Sequence, residues 1–553
     1  MDSLHHEQNN FKPFIPAEKR VSEFTATSVI LGIILAVLFG GANAYLGLRV
    51  GMTVSASIPA AVISMGVIRI ILRKDSVLEN NMVQTIGSAG ESLAAGAIFT
   101  MPVLFMWAAE GKSTMPGLGE IALICICGGA LGVFFMIPLR SALIVQEHGV
   151  LPYPEGTACA EVLLAGEKGG AKAGTVFAGL GIAAVYKFIA DGLRVFPSEV
   201  DFEVKSYKGA GIGMDVLPAL LGVGYICGVR VASYLLAGGV TAWFVIMPVI
   251  ALFGEDAVLY PATVPISELG AWGIWSNYIR YIGAGAVAAG GIFSLIKALP
   301  LIIRTFAQAV RGYGKNMEEE SRTAQDIPIR VVLVGILITA IVMWLIPVIP
   351  VNLPGAILIV VLGFFFATVS SRMVGLVGSS NNPVSGMAIA TLIITAAIYK
   401  SSGASAEGMV SSIAVGTIIC IIAAMAGDTS QDLKTGYIVG ATPKKQQYGE
   451  LISVVVSSMA IGGILYLLNA AWGYGSSELP APQATLMKMV VEGVMGGNLP
   501  WNLVFAGVAL AVAAEILTIP VLPFAVGLYL PIHLSTPMAV GGLVRLWIEK
   551  KRG

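Results

Sequence analysis

Uncharged apolar stretches of membrane-spanning length recur from one end of this 553-residue chain to the other. A helix needs about 20 residues to cross a ~30 Å hydrocarbon layer, and that length constrains everything else. The clearest stretches are Phe24 to Leu48, Val50 to Ile68, Ser92 to Ala109, Ile121 to Leu139, Val231 to Gly254, Val331 to Ser371, Met373 to Tyr399, Gly408 to Gly427, Leu451 to Ser477, Gly493 to Ala514 and Ile516 to Val544. Candidates interrupted by single charges lie around Ala173 to Phe196, Val216 to Arg230 and Arg280 to Ile302. With 56% hydrophobic and only 12% charged residues, the chain lies outside the range of soluble domains. The expected fold is an all-α polytopic membrane protein of about 12–16 transmembrane helices, some broken or re-entrant.

Basic residues set the expected orientation. Lys12, Lys19 and Arg20 precede the first span, and Arg545, Lys550, Lys551 and Arg552 follow the last, so both ends read as cytoplasmic. The polar loop from Arg304 to Arg330 holds five Lys/Arg and reads the same way. One membrane domain over 24–545 is expected between cytoplasmic tails at 1–23 and 546–553. The N-terminal tail lacks the short apolar core of a cleavable signal, which leaves the first span as the insertion signal. Two repeats are a further expectation: Arg49, "VGMTVSAS" and Pro59 parallel Arg372, "MVGLVGSS" and Pro383.

Several chemistries find no support. Lys+Arg and Asp+Glu number 33 each, and no basic run is dense enough for a nucleic-acid partner. "GKST" at Gly111 to Thr114 has Met106 where a phosphate-binding loop needs its first glycine. Four histidines without H-E-x-x-H, and five cysteines without a C-x-x-C pair, suggest neither a protein metal site nor a cofactor. No enzymatic activity is expected.

Polar groups inside apolar stretches are the remaining candidates, because ionisable residues at membrane depth are costly and face a cavity or a partner. Glu91 follows Asn80, Asn81, Gln84 and the small-residue run Gly87 to Gly90. This pattern reads either as a broken helix lining a polar cavity or as a helix start at the membrane interface. Glu515 stands alone in an apolar run and reads as a proton carrier or as the partner of an arginine such as Arg49 or Arg372. Asp428 and Asp432 lie one helical turn apart in "AGDTSQDLKTGYIVGATPKKQQYGE", and Glu155 and Glu161 sit in "LPYPEGTACAEVLLAGEKGGAKAG"; both segments also read as solvated interfacial loops. Ser380, Asn381, Asn382 and Pro383 begin a stretch whose second half is apolar, so a helix break is expected there.

"GSSNNPVSGM", "GDTSQDLKTGYIVGATPKKQQ", "NNMVQTIGSAGESLAAGAIFTMP", "LPYPEGTACAEVL" and "FAVGLYLPIHLSTPMAVGGLVR" together resemble the oligopeptide transporter (OPT) family, over about Phe24 to Arg545. The N-N-P-V-S-G and G-D-x-x-Q-D-x-K-T-G-Y signatures resemble its yellow-stripe-like branch. The resemblance implies a secondary transporter in the cell membrane, plasma or bacterial inner, moving short peptides by proton symport; carriage of metal chelates is the alternative. A passive channel is the rival of another class. Ser380, Asn381, Asn382, Asn80, Asn81 and Gln84 are the expected substrate ligands, and Glu91, Glu515, Asp428 and Asp432 the expected proton-coupling groups. Implied partners are the peptide or metal-chelate substrate, protons and the lipid bilayer, with homo-oligomerisation left open.

Overall fold

Two features of the sequence dictate the helices: long apolar runs, and caps that close them. The computed structural model describes residues 11–552 apart from 52, 54, 72–75, 150, 168–171, 194, 198, 205, 217, 284, 287–288, 291–292, 294–295, 297–320, 380–381, 383, 405, 477, 480 and 497–499. Up to residue 167 the helices are α1 (Ala26–Val50), α2 (Ser57–Met65), α3 (Val77–Ile98), α4 (Pro102–Ala109), α5 (Leu118–Met136) and α6 (Pro154–Glu167). Then come α7 (Lys172–Lys187), strands β1 (Glu199–Glu203) and β2 (Gly211–Asp215), and helices α8 (Pro218–Val240), α9 (Met247–Gly254) and α10 (Ile266–Ile274). After residue 320 follow α11 (Ile329–Leu345), α12 (Leu353–Val377), α13 (Val384–Ser401), α14 (Ala406–Val439), α15 (Pro443–Trp472), α16 (Pro482–Gly496), α17 (Trp501–Ile516), α18 (Val521–Tyr529) and α19 (Ile532–Arg552).

Among the described residues, nine helices are long and apolar enough to cross a membrane, and Ser57–Ile68, Gly181–Ala190 and Trp501–Ile516 are shorter apolar helices. The chain is an all-α polytopic membrane protein. Most of the loop from Arg304 to Arg330 lies outside the described residues.

The chain divides into two compact units, Met1–Val176 with Leu295–Gly496, and Phe177–Ser294 with Gly497–Gly553. In the first, α14 is the hub: it packs against α3, α5, α6, α12, α13, α15 and α16. Its 34 residues are longer than one crossing needs, and its polar end stays buried through Gly436. Glycines let these helices approach. A Cβ on Gly96 or Gly128 would meet Ile421 at 2.6 or 2.8 Å, and one on Gly90 would meet the Ala36 Cβ at 2.5 Å. All of α3 is buried from Val77 to Ile98, polar residues included.

In the second unit α19 packs on α8, again through glycines: a Cβ on Gly541 would meet the Leu221 carbonyl oxygen at 2.0 Å. The short antiparallel β1–β2 hairpin, pairing Glu199 with Asp215 through Glu203 with Gly211, was not legible against the surrounding helical pattern.

The two stretches compared as repeats both break after a glycine of positive φ, but with different backbone conformations, ψ being 13° at Gly51 and 164° at Gly378. A helix (α1 or α12) ends at a glycine of positive φ, Gly51 at +76° or Gly378 at +83°, and a second helix resumes at Ser57 or Val384.

Candidate functional site

Helical periodicity brings the polar residues of α3 to one face. Asn81, Gln84, Ser88 and Glu91 are spaced by three or four, so they stack along the helix. The expected break at Gly87 to Gly90 does not occur, because those glycines serve helix contact and α3 runs through them unbroken. Nor is Glu91 at an interfacial helix start: it lies in the last third of α3, 4% exposed. Its Oε1 accepts from Asn43 Nδ2 on α1, and its Oε2 accepts from the Ala56 amide at 3.3 Å. Ala56 is the residue before α2, so the carboxyl faces that helix's N-terminal amides, where negative charge is favoured.

The G-D-x-x-Q-D segment is helix, not a solvated loop. It forms the end of α14, and only Gly440 to Thr442 separate it from α15. Asp428 is 2% and Asp432 0% exposed. Gln84 Nε2 donates to Asp432 Oδ1, and Ser88 Oγ donates to Asp432 Oδ2 at 2.6 Å. Glu450, about two turns into α15, completes the group. It is fully buried, and one ligand oxygen each from Asp428, Asp432 and Glu450 lie within 4.8 Å of one another. Gln446 Nε2 bridges the same helices, donating to Thr85 Oγ1 at 3.0 Å and to the Asp432 carbonyl at 2.9 Å.

Four carboxylates are therefore buried on three packed helices. Among the described residues no Lys or Arg is ion-paired with any of them. Lys434, 1% exposed on α14, places its ammonium 2.8 Å from His148 Nδ1, donates to the Leu151 carbonyl at 3.3 Å and lies over the Tyr153 ring at 5.4 Å. Burying like charges without a counter-charge is costly, and protons or cations on these acids lower that cost. Several polar atoms nearby are also unpaired among the described residues: both amide atoms of Asn81, Oδ1 of Asn80 and Oε1 of Gln84.

The "YPEGTACAE" segment is pinned to this helix. The Gly156 amide donates to Gln431 Oε1 at 2.8 Å, and its carbonyl accepts from Thr435 Oγ1 at 2.9 Å. A Cβ at Gly156 would lie 2.4 Å from the Gln431 carbonyl oxygen, which is why glycine stands there. Glu155 approaches Gly378, whereas Glu161 is exposed.

The helix break expected before "PVSGM" is present between α12 and α13. Ser380, Asn381 and Pro383 lie outside the described residues. Asn382 Nδ2 donates to Ser370 Oγ at 2.6 Å, and its Oδ1 has no partner among the described residues. It abuts Gly427, the residue before Asp428. Glu515 is elsewhere, half-buried at the penultimate position of α17 in the second unit. Arg372, one partner considered for it, is instead ion-paired with Glu147 at 2.5 Å.

Glu450, Gln446, Ser88 and Asn43 were not singled out from sequence. The signal was there for α15: Gln446, Glu450, Ser453 and Ser457 recur at helical spacing into an apolar run.

The family described as OPT oligopeptide transporter protein matches residues 23–553. A Haemophilus influenzae protein, provisionally named an oligopeptide transporter, is 33% identical over 91% of this chain and 85% of its own length. The metal-nicotianamine transporter YSL3 of Arabidopsis thaliana is 24% identical over 98% of this chain and 87% of its own length. By these matches over almost its whole length, this chain belongs to the OPT oligopeptide transporter family.

Proposed function

We propose that the chain is a secondary active transporter that moves short peptides or peptide-like compounds across a cell membrane together with protons. One observation supports this reading above others: Glu91, Asp428, Asp432 and Glu450 are buried with no paired Lys or Arg among the described residues. Groups in that state gain and lose protons as access alternates between the two sides of a membrane. Glu91 and Glu515 are the first candidates for the coupled proton, with Asp428 and Asp432 behind them. Asn80 and Asn81 offer unpaired amide oxygens, and Asn81 an unpaired amide nitrogen as well, to the amide, amine and carboxylate groups of a peptide, with Gln84 one turn further along the same helix. Asn382 offers one more acceptor at the break, beside which Ser380 and Asn381 fall in sequence.

A second reading, carriage of metal chelates, is favoured by the likeness to the metal-nicotianamine transporter. Uptake of labelled di- and tripeptides and of metal–nicotianamine into proteoliposomes tests both. Saturable accumulation of a peptide that collapses with a protonophore supports the first reading. Accumulation of the chelate alone replaces it with the second, and flux that neither saturates nor responds to the protonophore makes the protein a passive pore.

A further inference from the structure

Asp428, Asp432 and Glu450 converge from two helices so that one oxygen of each lies within 4.8 Å of the others. That limit equals the separation of two ligands on opposite sides of an ion bound at ~2.4 Å, within the 2.3–2.6 Å range of calcium–oxygen bonds. The acids alone would not define a site. Gln84 adds an independent observation: it is fully buried, its Nε2 is held on Asp432, and its Oε1 has no hydrogen-bond partner among the described residues. The bond from Nε2 holds this carboxamide against Asp432 and leaves its oxygen without a described partner. Asn81, one turn away on the same face of α3 and also fully buried, leaves both amide atoms unpaired. Both Glu450 oxygens and Oδ2 of Asp428 likewise accept from no described donor.

We propose that Asp428, Asp432, Glu450 and the Gln84 amide oxygen form a binding site for a hard divalent cation. All four donors are oxygens, a set that selects magnesium, calcium or manganese over the softer ions that prefer nitrogen and sulfur. Charge decides against a monovalent ion. Three buried carboxylates carry up to three negative charges with no lysine or arginine paired to them among the described residues, and a divalent ion offsets twice as much of that charge as sodium. The Ser88 hydroxyl and the Gln84 amide nitrogen, both on Asp432, orient that carboxylate as outer partners orient metal ligands. A bound cation takes the place of protons at these acids, so the inference deepens the transport reading; its test reads binding rather than flux, and the two fail separately.

Manganese is the probe, because its electron paramagnetic resonance signal separates free from bound ion. The full chain, purified in detergent, is titrated with manganese alone. One saturable equivalent is expected, displaced by magnesium or calcium and not by sodium. Asp428→Asn and Glu450→Gln are each expected to weaken binding at least about tenfold. Glu110→Gln, which alters only a surface ion pair with Lys112 and Lys488, should leave it unchanged. Absence of saturable binding in the unaltered protein would overturn the proposal. So would displacement by sodium at equal concentration, or binding of unchanged strength in monodisperse Asp428→Asn and Glu450→Gln proteins.

Discussion

Gln84 donates its side-chain amide to Asp432 across 348 residues of sequence, tying α3 to α14 at the centre of the first unit. The same carboxylate accepts from Ser88, so two consecutive turns of one helix hold one acid of another. Removing the amide leaves a buried carboxylate with one donor fewer. Gln84→Ala is expected to cost about 1 to 3 kcal/mol of stability. Thermal unfolding in detergent measures it, and an unshifted midpoint would show that this bond contributes nothing.

Close helix approach gives a second prediction. A Cβ on Gly90 would lie 2.5 Å from the Ala36 Cβ and 2.6 Å from Ser457 Oγ, whereas one on Gly463 meets nothing within 4 Å. Gly90→Ala should therefore destabilise by about 1 to 3 kcal/mol through overpacking. Gly463→Ala, inside α15, should be neutral or stabilising by up to about 1 kcal/mol, from helix propensity alone. Equal effects of the two substitutions would refute the packing account.

The N-terminal tail makes a third. Its described part, residues 11–23, is docked rather than loose: Phe14 and Ile15 donate backbone amides to the Ile438 and Val439 carbonyls. Glu23, 1% exposed, accepts from the Thr442 amide at 2.8 Å and pairs with Arg322 at 3.2 Å and Lys445 at 3.3 Å. Glu23→Ala strands Arg322 beside the Pro16 and Gly440 carbonyls and should cost on the order of 3 kcal/mol. Limited proteolysis should then cut the tail in the variant far sooner than in the parent; identical cleavage rates would contradict the docking.

His148 gives a pH dependence. Burial lowers its affinity for a proton, and the neighbouring Lys434 ammonium lowers it further, so its folded pKa falls below the ordinary 6.5. The unfolded chain then binds the proton more readily, and the contribution of neutral His148 is complete above 6.5 and declines as pH falls towards the folded value. The stability advantage of the parent over His148→Gln should accordingly shrink between about pH 7.5 and pH 5.5. A constant difference in unfolding midpoint over that range would mean that His148 does not titrate differently on folding.

The sequence makes the class of fold plain, because apolar runs of spanning length have few other uses. The candidate site was half legible. Asp428, Asp432, Glu91 and Gln84 stand out as polar residues beside apolar runs; Gln84 meets Asp432 beside Asp428, whereas Glu91 bonds to Asn43 and the Ala56 amide. Glu450 and Gln446 carry only a spacing signal with Ser453 and Ser457, and "PKKQQYGE" resembles any interfacial loop until α14 and α15 are seen to turn within Gly440 to Thr442. The expected break at Gly87 to Gly90 failed for a physical reason: the same glycines that permit a break also permit helices to touch, and contact across helices decides which occurs. Glu515 looked deep by hydropathy, yet α17 ends one residue after it. A window average does not register where a helix stops.

The most direct test of the central claim is proton movement driven by substrate. Proteoliposomes loaded with a pH-sensitive dye are given a saturating di- or tripeptide outside, with the external medium more acidic. The account predicts interior acidification that saturates with peptide, and its loss in Glu91→Gln protein that still binds the peptide. Peptide entry with no acidification in the unaltered protein would contradict it.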